Sequence, residues 1–88
     1  MAIESLRVAI MEALDQRELT YRYGKPNQIW VDIPKEKAND ASEQLARVKL
    51  HLLEQGVKII DEVICFRNRL SFTASHGDRT ILILPEFQ

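Results

Sequence analysis

The segment LTYRYGKPNQIWVDI, residues 19–33, decides the fold. Leu19, Tyr21 and Tyr23 alternate with Thr20 and Arg22, and Ile29, Val31 and Ile33 alternate with Trp30 and Asp32. Period two belongs to a β-strand, whose successive side chains point to opposite faces of a sheet. Between the two runs, Gly24-Lys25-Pro26-Asn27 supplies turn residues, so the segment reads as a β-hairpin. With residues 24–28 as the loop, Tyr23 faces Ile29, Tyr21 faces Val31 and Leu19 faces Ile33. A slip of one residue would turn every side chain over, so this apolar surface specifies its own register. The opposite surface pairs Arg22 with Trp30 and Thr20 with Asp32. A guanidinium beside an indole is a cation-π contact worth about 0.5–1 kcal/mol when exposed.

Upstream, residues 2–18 place Ile3, Leu6, Ile10, Ala13 and Leu14 on one helical face, with Glu4, Glu12, Asp15 and Gln16 around the rest of the wheel. This predicts an amphipathic helix. Val8 and Met11 lie off the stripe and point to a second contact. Downstream of Pro34, Asp40 and Glu43 have the spacing of a capping box, and Gly56 suits a left-handed helix end. Between them Leu45, Val48 and Leu52 make one stripe and Ala46, Leu50 and Leu53 a second. The pair of stripes predicts a helix that touches both a sheet and another helix.

The remainder, VKIIDEVICFRNRLSFTASHGDRTILILPEFQ, holds three β-rich runs separated by turns at Arg67-Asn68 and Ser75-His76-Gly77-Asp78. Read as a meander, it sets Val63 against Phe72, Cys65 against Leu70, Phe72 against Ile81 and Leu70 against Ile83. The element order α-β-β-α-β-β-β predicts a two-layer α+β sandwich, an antiparallel sheet with both helices on one face, in a single domain spanning residues 1–88.

Composition bounds the function. The 45% apolar and 28% charged content is that of a folded globule, and a net charge of -1 provides no overall field to draw in nucleic acid or anionic lipid. Cys65 is the only cysteine, so neither an intrachain disulfide nor a multi-cysteine zinc site is available. Glu4, Arg7, Glu12 and Asp15 interrupt the apolar N-terminal residues, which argues against a signal core or membrane span. A cytoplasmic protein is expected.

No motif points to a metal, a cofactor or a catalytic constellation. Cys65 has the parity of a small buried residue, and His76-Gly77-Asp78 is good turn chemistry. Asp61 and Glu62, as strand neighbours, point to opposite faces and share neither a proton nor a metal. A small enzyme using Cys65, His76 or Asp78 would need those groups to converge in one cleft. His51 falls on the polar side of the second helix with Arg47 and Glu54.

Nucleic-acid binding is a further reading. Arg22, Arg67, Arg69 and Arg79 would hold phosphates while Tyr21, Tyr23 and Trp30 stack bases. The feature that most resists a bland account is a set of apolar strand residues, Trp30, Ile64, Phe66, Leu82 and Leu84, on the face away from the helices. Such a patch marks a partner site, and a second copy of the same chain is the commonest partner. The leading expectation is therefore a non-enzymatic protein-binding module acting as a homodimer.

Overall fold

The computed structural model describes residues 5–60 and 70–87. Helix α1 (Leu6–Gln16) opens at Ser5, whose Oγ accepts a hydrogen bond from the Val8 N–H at 3.5 Å. It buries Leu6, Ala9, Ile10, Ala13 and Leu14. At its far end the Glu18 N–H donates to Asp15 O and the Leu19 N–H to Leu14 O, both at 3.0 Å. This closes the helix in a Schellman motif, with Glu18 in the left-handed position at φ 56°.

The chain then enters β1 (Tyr21–Tyr23) and β2 (Gln28–Ile33), an antiparallel pair with Tyr21 opposite Val31, Arg22 opposite Trp30 and Tyr23 opposite Ile29. That is the register the hairpin pattern demands. Burial along β2 alternates accordingly, with Ile29, Val31 and Ile33 buried and Gln28, Trp30 and Asp32 half-buried.

Helix α2 (Ala41–Glu54) departs from expectation at its start. A 3₁₀ stretch, Lys35–Asp40, runs straight into it, and Asp40 makes no side-chain cap hydrogen bond, so the capping box is not formed. The C-terminus is as expected. Gly56 takes φ 87°, its N–H donates to Leu53 O, and the Val57 N–H donates to Leu52 O, with Val57 and Leu52 both buried. The helix does touch a sheet and a helix, but with its first stripe: Leu45, Val48 and Leu52 are buried, whereas Ala46, Leu50 and Leu53 are exposed.

Strands β3 (Lys58–Ile60), β4 (Phe72–His76) and β5 (Arg79–Phe87) complete a five-stranded sheet in the order β1-β2-β5-β4-β3. The sheet is mixed, not purely antiparallel, because β5 lies parallel to β2, with Ile29 opposite Ile83 and Trp30 opposite Leu84. The crossover through α2 carries the chain from β2 to the far edge of the sheet, and the β4–β5 hairpin fills the gap between β2 and β3.

The turn of that hairpin is shorter than the sequence suggests. His76 pairs with Arg79, leaving only Gly77-Asp78, with Gly77 at φ 64° in the first central position of a two-residue turn. Phe72 therefore faces Ile83 rather than Ile81, and Leu70 lies outside β4. A shift of two residues changes partners but not faces. The expected pairs of Val63 and Cys65, and the turn at Arg67-Asn68, lie outside the described residues.

Both helices cover one face. Buried residues of α1 and α2 join Ile29, Val31, Ile33, Phe72, Ala74, Ile81 and Ile83 in one core cluster, with Phe72 fully buried at its centre. Lys49 of α2 reaches down to set its ammonium 5.1 Å from the Phe72 ring.

Candidate functional site

The face turned away from the helices is built by the strands' alternate residues. Pairing aligns Arg22, Trp30 and Leu84 in one row across β1, β2 and β5. A second row runs Gln28, Leu82, Thr73 and Ile60 across β2, β5, β4 and β3. Asp32 and Glu86 form a third at the end of the parallel pair. Trp30, Leu82 and Leu84 thus share the helix-free face, as their parity requires. They are not equally open: Trp30 and Leu82 are half-buried, and Leu84 is only 5% exposed while lying outside the core cluster. Ile64 and Phe66 lie outside the described residues.

Ile60, 40% exposed, belongs to this face and is not among the residues singled out from the sequence. Its neighbours held the signal. In Lys58-Ile59-Ile60 the lysine has the same parity as Ile60 and the opposite parity to Ile59, which packs against the core.

Trp30 is held in place by its surroundings. The Arg22 guanidinium carbon lies 5.9 Å from the indole centroid. Arg22 is itself paired with Glu86, and its Nε lies 3.9 Å from Asp32 Oδ1. Thr20 Oγ1 donates to Asp32 Oδ2 at 3.4 Å, extending the network to the start of the hairpin. At the other edge the indole meets Gly24, where any Cβ would come within 2.6 Å of Trp30 Nε1. Gly24 is thus required for close approach.

The tyrosines do not join Trp30. Tyr21 and Tyr23 share parity with the core residues and meet edge to face, centroids 6.2 Å apart. Tyr23 lies beneath the Arg7 guanidinium at 4.8 Å and donates its hydroxyl to Met11 Sδ at 2.9 Å. This is the second contact that Met11 anticipated, while Val8 remains 46% exposed. The Tyr21 phenol is held above its ordinary pKa, chiefly by burial and further by the charges of Asp15 and Tyr23.

Of the arginines proposed to hold phosphates, the two among the described residues lie on different strands, Arg22 on β1 and Arg79 on β5. Arg22 is committed to Glu86 and Asp32, Arg79 stands exposed at the β4–β5 turn, and Arg67 and Arg69 lie outside the described residues. A cleft of about 350 Å³ at that end of the sheet is lined by Arg7 and Arg79, with Ser5, Asn27, Asp78 and Thr80 around them. A second groove, about 270 Å³, runs between α1 and α2 beside Arg17, Arg47, Leu50, His51 and Glu54.

His76 and Asp78 occupy the end and the turn of one hairpin, and Cys65, Asp61 and Glu62 lie outside the described residues. Among the described residues, no three His, Cys, Asp or Glu side chains gather in a group able to hold a metal, and no helix is long and apolar enough to cross a membrane. No family model, no curated protein and no solved structure matches the chain, so its functional reading rests on its own residues.

Proposed function

We propose that this chain is a small non-enzymatic protein-binding module that acts as a homodimer through the helix-free face of its sheet. The observation that carries the reading is the apolar centre of that face: Trp30 and Leu82, on adjacent strands, keep part of their surface in water, with Ile60 beyond them. Completing the burial of a large apolar side chain yields a fraction of the roughly 1.5–3 kcal/mol of full burial, so a few such residues sustain a modest interface. The Arg22, Asp32 and Glu86 network beside them supplies the polar rim that specific interfaces carry. Placing the module in the cytoplasm is part of the proposal and leans on the lone cysteine.

Two placements weigh against an RNA-binding sheet. The tyrosines lie on the opposite face from Trp30, and Arg22 already has two carboxylate partners.

Trp30 is the only tryptophan, so its emission reports on this face directly. Raising the concentration from low to high micromolar should shift the emission to shorter wavelength as the scattering mass rises, and Leu82→Asp should abolish the emission shift and lower the mass reached. An emission maximum independent of concentration, with a mass untouched by Leu82→Asp, refutes the reading.

A further inference from the structure

The two most exposed large apolar side chains among the described residues are on neither sheet face. They are Leu50 and Leu53 of α2, exposed to 57% and 53%, with Ala46 exposed beside them. We infer that α2 carries a second self-association surface, on which α2 of another copy packs antiparallel about a two-fold axis that passes between the two copies at the level of Leu50.

The stripe and its flanks are self-complementary. At about 100° and 1.5 Å per residue, Arg47 and Glu54 fall on one flank of Leu50, and Ala46 and Leu53 on the other. Arg47 lies about 4.5 Å before Leu50 along the axis and Glu54 about 6 Å after it. Reversing the helix about Leu50 brings Arg47 beside the partner's Glu54, and symmetry forms that contact twice. The same operation sets the small Ala46 against the partner's larger Leu53 on the second flank, and Leu50 against the partner's Leu50. Charge and size therefore match under a single operation, as an isologous contact requires.

Ala46, Leu50 and Leu53 are all exposed, and a groove separates the Arg47 and Glu54 flank from Gln16 and Arg17 at the end of α1. Arg47 and Glu43 form an i,i+4 pair at 3.1 Å, but both side chains are more than half exposed. The guanidinium retains further donors for a second carboxylate. A helix of 14 residues is about 21 Å long, so the contact falls below the about 1,200 Å² of stable interfaces and is weak, on the order of tens to hundreds of micromolar.

This surface is on the opposite layer from Trp30 and stands independently of the sheet-face reading; with both occupied, assembly proceeds beyond the dimer. The experiment is sedimentation of the full chain carrying Arg47→Glu or Glu54→Arg, each alone and as an equimolar mixture, with circular dichroism as the fold control. Each variant alone brings like charges together twice and should associate roughly tenfold more weakly than the unmodified chain. The mixture should regain association, because each contact between unlike variants again joins opposite charges. Leu50→Glu should remove it. A mixture that sediments as the sum of its parts, or a Leu50→Glu chain that associates like the unmodified one, overturns the inference. Trp30 emission reports the other face separately, so failure here and failure there are distinguished.

Discussion

Gly24→Ala disturbs the sheet face without deleting any of its side chains. A Cβ on Gly24 lies 2.6 Å from Trp30 Nε1, 2.9 Å from Cδ1 and 3.2 Å from Gln28 Oε1. Ordinary contact begins at 3.4 Å, so the indole must retreat by roughly 0.8 Å. In a closed core such overpacking costs about 1–3 kcal/mol, but Trp30 is half-buried and can swing outward, which places the cost near 1 kcal/mol. Gly24 is not among the positive-φ residues, so alanine is tolerated by the backbone and recovers about 0.4–1 kcal/mol by restricting the unfolded chain. The two terms nearly cancel, so global stability is the wrong readout. The indole is the right one. Its retreat changes its exposure and its 5.9 Å contact with the Arg22 guanidinium, so the dilute protein should show a red-shifted emission and greater acrylamide quenching. Self-association through this face should weaken in parallel. Emission and quenching identical to those of the unmodified chain would refute the placement of Trp30 against Gly24.

The helix ends offer a matched pair of tests. Glu18→Gly should stabilise by about 0.5–1 kcal/mol by removing a left-handed non-glycine residue, while Gly56→Ala should destabilise by about 1 kcal/mol. In thermal melts 1 kcal/mol corresponds to about 4–8 °C for a chain of this size, and a loss of stability in Glu18→Gly would contradict the motif. Ile83→Ala, at a fully buried site between Ile29 and Phe72, should cost about 2–5 kcal/mol, whereas Leu82→Ala on the half-buried face should cost about 1 kcal/mol or less. Equal urea midpoints for these two neighbours would show the sheet faces to be misassigned. The raised pKa of Tyr21 means that the folded state holds its proton more tightly than the unfolded state. That contribution is complete below the ordinary tyrosine value of about 10 and is lost as pH rises through the higher folded value. Urea melts from pH 8 to 11 should therefore fall less steeply for Tyr21→Phe than for the unmodified chain.

What the sequence displayed was parity, and what it concealed was neighbourhood. Alternation across residues 19–33 determined both the face of each residue and the hairpin register, because loop and strands are contiguous. The β4–β5 hairpin was legible in its faces but not in its partners, since a two-residue turn and a four-residue turn shift pairing by two positions and leave every side chain on the same side. Strand order was not legible. No local pattern separates a strand that pairs with the one before it from a strand that inserts beside β2, and the parallel alignment follows from that insertion. The unformed capping box has a local cause: Lys35–Asp40 already runs as a 3₁₀ turn into α2, so Asp40 is not at a clean helix start.

The same distinction governs the candidate site. Parity put Trp30, Leu82 and Leu84 on one face, but exposure depends on what else approaches that face, and Leu84 turned out to be buried. On α2 the discrepancy runs the other way. The stripe of Ala46, Leu50 and Leu53 has the periodicity of a packed surface, yet the fold leaves it in water. An apolar stripe in a sequence records that a contact is favourable, not whether it is made within the chain. Where one core already accounts for α1, α2 and the inner sheet face, the unused stripe and the partly exposed Trp30 are two surfaces, among the described residues, on which burial remains to be gained. Since they belong to opposite layers, a second copy can satisfy each without competing with the other. The proposed assembly would therefore depend on two separable contacts, each removable by one substitution while the other remains.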